Sequence, residues 1–392
     1  MQTLKHIPRS IWALGFVSLL MDTSSELIHS LLPVFMLTTL GISVFAIGLI
    51  EGAAESTALI VKVFSGMLSD YWGKRKPLAV LGYGLGALSK PLFALAGSAG
   101  WILSARLIDR VGKGIRGAPR DALVADITPP ELRGAAFGLR QSLDTVGAFL
   151  GPLLAIGFML LWANDFRSVF WIACVPAFLC VALLIFGVQE PEQPQGAVRA
   201  NPISRANLMR LSPAYWWVVG IGAIFTLARF SEAFLVLRVQ QGGLGLAWTP
   251  LVLIAMNLIY AACAYPFGKL ADSVRHTTLL AWGVVLLIAA DALLAYSNHG
   301  VGVWAGIGLW GLHMAMTQGL LAAMVADTAP NNLRGTAYGF FNLMSGISML
   351  LASGLAGLLW DQWGASVTFL AGIVFSTVAL GLLLLRPRNS LS

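Results

Sequence analysis

Twelve apolar runs, each close to the roughly 20 residues that an α-helix needs to cross a hydrocarbon core of about 30 Å, follow one another along this chain. They lie at roughly 11–38, 44–68, 78–97, 101–122, 136–162, 168–187, 214–238, 247–270, 277–296, 301–325, 336–360 and 365–386. Inside a bilayer every backbone N–H and C=O must be bonded within the protein, which leaves only helices or closed barrels. The runs are too long for barrel strands and lack strong period-2 alternation, so helices are expected. Charged residues make up 11% of the chain, against about 25% in an average soluble domain. The expected fold class is an all-α polytopic membrane protein with twelve transmembrane helices. The first run lacks the features of a signal peptide and is expected to remain as span 1.

The formal charge of +7 raises the question of a nucleic-acid partner, and its location argues against one. With the N-terminus in the cytoplasm, the inner loops hold Lys5, Arg9, Lys74, Arg75, Lys76, Arg133, Arg199, Arg205, Arg210, Arg275, Arg334, Arg386 and Arg388, and the outer loops little beyond Arg167. This is the positive-inside pattern, and it puts both termini in the cytoplasm of a multi-pass inner-membrane protein. Cys174, Cys180 and Cys263 all fall in apolar runs and read as packing residues.

The longest polar stretch, VQEPEQPQGAVRANPISRANLMR (188–210), separates six spans from six. The expected organisation is an N-terminal bundle over 1–187, a linker over 188–213 and a C-terminal bundle over 214–392. The halves repeat one another. ALVADITPPELRGAAFGL (122–139) aligns without gaps on AMVADTAPNNLRGTAYGF (323–340), matching Asp126 with Asp327, Arg133 with Arg334 and Gly134 with Gly335. A weaker echo pairs GMLSDYWGKRK (66–76) with GKLADSVRHTT (268–278).

On these residues the chain resembles the major facilitator superfamily of secondary transporters over essentially its whole length. Gly66, Asp70, Gly73, Lys74 and Arg75 look like its signature loop between helices 2 and 3. Arg110 and Gly114 resemble its fourth-helix motif, with Lys113 where a Gln is usual. Gly147, Gly151 and Pro152 resemble its fifth-helix antiporter motif, with Ala155 in place of a later Gly. The resemblance implies two pseudo-symmetric six-helix bundles rocking about a midplane site. It also implies that spans 1, 4, 7 and 10 line a cavity, that spans 2, 5, 8 and 11 flank the bundle interface, and that the others face lipid. Asp70, Lys74 and Arg75 would then form a gating latch, Asp70 pairing with bases near the end of span 4 or with the start of span 11. Asp126 with Arg133, and Asp327 with Arg334, would organise the related loops, or else serve as helix caps and solubilising charges.

A charge at the centre of a spanning helix costs about 2.5 to 3.5 kcal/mol on insertion scales, so ionisable residues must turn away from lipid. Their spacing allows it. Asp22, Ser25, Glu26 and His29 fall within an arc of about 100° on span 1. Glu51, Glu55 and Lys62 share a stripe on span 2. Arg106, Asp109, Arg110, Lys113, Arg116, Arg120 and Asp121 cover roughly 140° of span 4, and Arg140 and Asp144 are i,i+4 neighbours on span 5. Spans 6 and 12 carry no interior charge, and spans 3 and 9 one each, Lys90 and Asp291. Ser231-Glu232 in span 7 echoes Ser25-Glu26, with Arg229 and Arg238 nearby, while His313, Asn257 and Tyr260 are thinner polar content in spans 10 and 8.

Two readings of the acids stay open. Asp22 and Glu26, with His29 and Glu232, could form the proton-coupling site, since a desolvated carboxylate exchanges its proton nearer neutral pH. The alternative is that they are structural partners of Arg110, Arg116 or another span 4 base. His29 with Asp22 and Glu26 could also hold Zn, Fe or Mn, although a lone His on a polar face is more often a hydrogen-bonding residue or proton relay. Arg106, Arg110, Lys113 and Arg229 are the candidate substrate contacts, because Arg suits carboxylate and phosphate. VGKGIRG (111–117) is not a phosphate loop, and no ATPase, Ser-His-Asp or zinc-protease motif is present.

The expected activity is proton-coupled transport of a small organic molecule by alternating access, with export by antiport favoured by the fifth-helix motif. An organic acid, a carboxylate-bearing metal chelate or a zwitterionic drug-like compound fits the basic stripe. The rivals are a transition-metal or siderophore transporter and a membrane sensor that moves nothing. No enzyme activity, cofactor, resident metal or nucleic-acid partner is expected, and the protein should be a monomer whose partners are substrate, protons and lipid.

Overall fold

The computed structural model describes residues 7–72, 74–190, 208–271, 273–297, 300–317, 319–330 and 333–385, without the side chains of Met67, Asp70, Tyr71, Trp72 and Pro130. Most of the expected linker therefore lies outside the described residues. Span 1 is α1 (Arg9–His29) followed by α2 (Leu32–Thr38), and spans 2 to 6 are α3 (Val44–Trp72), α4 (Lys76–Leu95), α5 (Ala99–Ile127), α6 (Arg133–Leu161) and α7 (Phe166–Gly187). Span 7 is α8 (Pro213–Ala228) plus α9 (Ala233–Gln241). Spans 8 and 9 are α10 (Leu251–Ala271) and α11 (His276–Tyr296), and span 10 is α12 (Val301–Thr317) plus α13 (Leu320–Thr328). Spans 11 and 12 are α14 (Arg334–Trp363) and α15 (Ala365–Leu384).

Eleven spans are long and apolar enough to cross a membrane on length and composition alone. The twelfth is α5, equally long at 29 residues, whose apolar windows are interrupted by the charges from Arg106 to Asp121. Helices account for nearly all the described residues, as the apolar runs require.

Three spans expected as single helices are broken, each for a local reason. In span 1, Pro33 has no N–H to give the carbonyl of His29, and the chain turns through Ser30 and Leu31. In span 7, Ser231 Oγ accepts from Ala233 N at 3.3 Å, a side-chain competitor for the helical ladder. In span 10 the break ends at Gly319, whose φ of +82° is left-handed backbone that favours glycine.

The chain divides into two compact units: Met1–Leu40, Thr57–Asn201 and Leu246–Pro250 in one, Gly41–Ser56, Pro202–Gly245 and Leu251–Ser392 in the other. In the first, α1 packs along α6 and α7, and α4 along α5 and α7. Glycines set how closely these helices approach. A Cβ on Gly151 of α6 would fall 2.7 Å from Thr23 O and 2.8 Å from Glu26 Cβ, and one on Gly147 would strike the Leu19 carbonyl. In the second unit, α11 packs on α12 and α15, and α8 on α14 and α15. The first turns of α3 also pack there on α14, where Asp361 caps them by accepting from Val44 N at 3.1 Å and Phe45 N at 2.9 Å.

The duplication is visible in contacts. The offset of 201 residues that takes Asp126 to Asp327 also takes Gly82 to Gly283, each a close-approach point between spans 3 and 4 or 9 and 10. Arg167 ties the C-terminal carbonyls of α4, Ala94 O and Ala96 O, both at 2.8 Å. Arg238 does the same for α11 at Leu294 O (2.9 Å) and Ser297 O (2.8 Å). A cation belongs at a helix C-terminus, and the two halves recruit it from different helices.

Gly151→Val should lower the unfolding free energy by about 1–3 kcal/mol through overpacking against α1. Gly157→Val, where a Cβ meets nothing within 4 Å, should change it by less than about 0.5 kcal/mol. Thermal unfolding of the two variants in detergent checks the contrast.

Candidate functional site

Two clusters of ionisable residues in the first unit lie along one helix, α5. The outer members of the first cluster come from α1 and α4. Lys90, fully buried, donates from Nζ to Asp109 Oδ1 at 2.7 Å and to Ser25 Oγ at 3.0 Å. Ser89 Oγ donates to the same Asp109 oxygen at 3.3 Å. The other Asp109 oxygen lies 3.6 Å from His29 Nε2 and 3.9 Å from Arg110 Nε. Arg110 Nη2 stands 3.3 Å from His29 Nδ1, and since a guanidinium only donates, the ring nitrogen is the acceptor in that contact. Glu26 Oε1 completes the cluster 3.8 Å from His29.

The second cluster lies about two turns along α5 and joins α1, α4 and α6. Arg116 is 3.8 Å from Asp22 and stacks over the Tyr83 ring at 4.5 Å. The Asp22 carboxyl is also within hydrogen-bonding reach of Asp144 on α6. Asp144 is 3.8 Å from Arg120 and 3.7 Å from Arg140, while Asp121 is 3.1 Å from Arg120 and 3.9 Å from Arg140. Exposed Lys113 sits between the clusters and acts electrostatically on both Asp22 and Glu26.

The three ionisable residues of span 1 are thus divided. Glu26 and His29 go to the first cluster and Asp22 to the second. Among the described residues no group of three or more His, Cys, Asp or Glu could hold a metal ion. Candidate substrate contacts Arg106 and Arg110 are buried on α5. Asp109, Lys90, Tyr83 and Asp144 join the site although they are not among the residues expected there. The signal for Lys90 was a lone charge in an apolar span, and for Asp144 its i,i+4 relation to Arg140, which does not reveal the approach to Asp22.

In the second unit the polar content is thinner. Arg229 lies over the Phe225 ring at 5.6 Å and interacts with Glu232, Tyr260 and His313. The expected likeness of Ser231-Glu232 to Ser25-Glu26 ends at the sequence. Ser25 lies inside continuous α1, whereas Ser231 and Glu232 lie in the break of span 7.

The loop pairings also need correction. Asp126 pairs with Arg75 at 2.9 Å rather than with Arg133, whose Nε donates to Ala125 O at 3.2 Å. Asp327 pairs with His276 at 3.2 Å rather than with Arg334, which is exposed at the start of α14. The reason is geometric: each acid ends a helix whose neighbour begins with the base, and the 201-residue offset takes Arg75 to His276 as it takes Asp126 to Asp327. Glu190 accepts from Arg75 N, and from Lys76 N at 3.2 Å, which ties the end of span 6 to the same loop. Lys74 is exposed, and the side chain of Asp70 lies outside the described residues.

Paired charges on duplicated six-helix halves match a known design: the model of the Major Facilitator Superfamily covers residues 14–352 and 243–392. The chain belongs to the Major Facilitator Superfamily. It is 33% identical over 387 residues to an uncharacterized MFS-type transporter of Methanocaldococcus jannaschii, covering 97% of this chain and 95% of the relative. It is 26% identical over 396 residues to the multidrug resistance protein MdtH of Aeromonas hydrophila subsp. hydrophila, covering 95% and 94%. Among solved structures, the nucleoside transporter NupG (D323A mutant) superposes with a TM-score of 0.76 at 14% identity over 95% of this chain and 98% of that one, a likeness of fold. The protein is an MFS transporter.

Breaking a buried ion pair from one side leaves an uncompensated charge and costs roughly 3–5 kcal/mol. Asp109→Asn strands Lys90, whose other partner is Ser25 Oγ, whereas Lys90→Met leaves Asp109 with His29 and Arg110. Thermal unfolding should therefore rank Asp109→Asn as the more damaging change, and the reverse order would contradict this assignment.

Proposed function

We propose that this MFS transporter exports a small organic anion or zwitterion in exchange for protons, by alternating access across the cytoplasmic membrane, with both termini in the cytoplasm. The observation that carries the reading is the approach of Asp22 on span 1 to Asp144 on span 5. An ionised carboxylate only accepts hydrogen bonds, so two carboxyl groups are joined only when one holds a proton. Removing that proton sets two like charges against each other and favours recruitment of Arg116 by Asp22 and of Arg120 and Arg140 by Asp144. Proton loading and helix position are coupled in this way through ion pairs that exchange partners.

The substrate class follows from charge. The first unit places Lys90, Arg106, Arg110, Lys113, Arg116, Arg120 and Arg140 in its spans against Asp22, Glu26, Asp109, Asp121 and Asp144. The excess of bases favours a ligand with an anionic group, which Arg recognises in bidentate fashion. Export is supported by the multidrug-resistance relative and by Gly147, Gly151 and Pro152 of the fifth-helix motif.

Uptake of a fluoroquinolone, a zwitterion that reports by its own fluorescence, into everted membrane vesicles tests the reading. Uptake should require an imposed proton gradient and collapse when nigericin dissipates it. Asp22→Asn and Asp144→Asn should each lower gradient-driven uptake at least about tenfold, equivalent to about 1.4 kcal/mol of lost coupling. Uptake that survives gradient collapse, or that is unchanged in both variants, would contradict proton exchange through this pair.

A further inference from the structure

In the second unit the carboxyl group of Asp291 is buried and unpaired among the described residues. The residue is 0% exposed, and among the described residues neither oxygen has a hydrogen-bond partner. Its Oδ2 lies against α15 where a glycine makes room: a Cβ on Gly372 would fall 2.5 Å from that oxygen and 3.4 Å from the Phe230 ring. Phe230 packs in turn on Trp310 and Phe369, each 5.6 Å away between centroids. The indole N–H of Trp310 is likewise buried without an acceptor. The unpartnered acid and the Phe230 ring thus both border Gly372, and the unpartnered indole packs on that ring.

The duplication gives this a second, independent footing. The offset that takes Asp126 to Asp327 takes Lys90 to Asp291 and Asp109 to Trp310. In the first unit that place holds the 2.7 Å ion pair. In the second an acid stands where the base was and an indole where the acid was, so no cation is built in to hold a carboxylate.

The surrounding elements supply none either. Facing α11 from α12, His313 lies one turn beyond Trp310 with Nδ1 2.7 Å from Gly283 O. On α15 no residue from Ala365 to Leu384 is titratable. From α13, Asp327 pairs with His276 at the far end of α11. In span 7, Arg229 is stacked on Phe225 near Glu232, and Arg238 is bonded to the Leu294 and Ser297 carbonyls. Among the described residues Asp291 forms no ion pair with any of these.

We propose that Asp291 is a proton-binding site: it holds a proton in this conformation, and its buried, apolar place between Gly372 and the Phe230 side suits the neutral acid. A neutral carboxyl carries no charge into this apolar site, whereas a carboxylate here would be an uncompensated buried charge. Losing the proton therefore requires Phe230, at the break of span 7, to move aside and admit water. Within the transport cycle this makes Asp291 a second proton-loading position besides the Asp22–Asp144 pair, and that consequence alone rests on the proton-coupled reading above.

Infrared spectroscopy of the full-length protein in lipid nanodiscs tests the site without any transport substrate. At neutral pH the difference between wild type and Asp291→Asn should contain a protonated-carboxyl C=O stretch that shifts in heavy water, and the isosteric variant should melt with the wild type. The same band should persist in Asp22→Asn protein, which leaves position 291 untouched and separates this site from the Asp22–Asp144 pair. Absence of the band from Asp22→Asn protein would overturn the proposal. So would sodium-dependent thermal stabilisation that Asp291→Asn removes, which would assign a metal cation to the site instead.

Discussion

The ion pair between Lys90 and Asp109 is the interaction on which the N-terminal unit depends. Span 4 carries more charge than a lone helix can take into a bilayer at about 2.5 to 3.5 kcal/mol for each central charge. It is tolerated because α1, α4 and α6 supply the counter-charges and hydrogen-bonding groups: Asp22, Glu26 and His29 from α1, Lys90 from α4, Asp144 from α6. Close helix approach is the condition for that compensation. Gly147 and Gly151 bring α6 onto the backbone of α1, and Gly82 brings α4 onto Gly112 and Arg116 of α5. The glycines and the charges belong to one design, in which small residues let long side chains find each other away from lipid.

The two halves descend from one pattern and have diverged in chemistry while keeping their frame. Arg75–Asp126 and His276–Asp327 occupy matching places, and Arg167 and Arg238 cap matching helices from different origins. Where the first half has an ion pair at Lys90 and Asp109, the second has Asp291 and Trp310 among aromatic rings. One half is rich in ion pairs and the other holds a buried acid that makes none among the described residues, so a shared frame carries different chemistry in each.

Much of this was legible in the sequence because the bilayer reduces the options. The twelve apolar runs match the observed spans to within a few residues, and the grouping of Asp22, Glu26 and His29 on one face of span 1 follows from a 100° helical step. The breaks in spans 7 and 10 were not legible, since Ser231 and Gly319 are ordinary in transmembrane helices and act through backbone geometry. Nor were partner choices. Asp126 has Arg133 seven residues away, yet it bonds Arg75 from the preceding loop, because helix ends meet in space and not in sequence. The approach of Asp144 to Asp22 needed the packing of α6 on α1, which no spacing rule contains.

The most direct test of the central claim, that the Asp22–Asp144 pair binds the exchanged proton, follows protons rather than cargo. Purified protein in weakly buffered detergent with a pH-indicator dye should release protons when a saturating fluoroquinolone is added, in amounts stoichiometric with transporter. Asp22→Asn protein should bind the same compound without that release. Proton release that is undiminished in Asp22→Asn, or absent from wild type despite binding, would contradict the account.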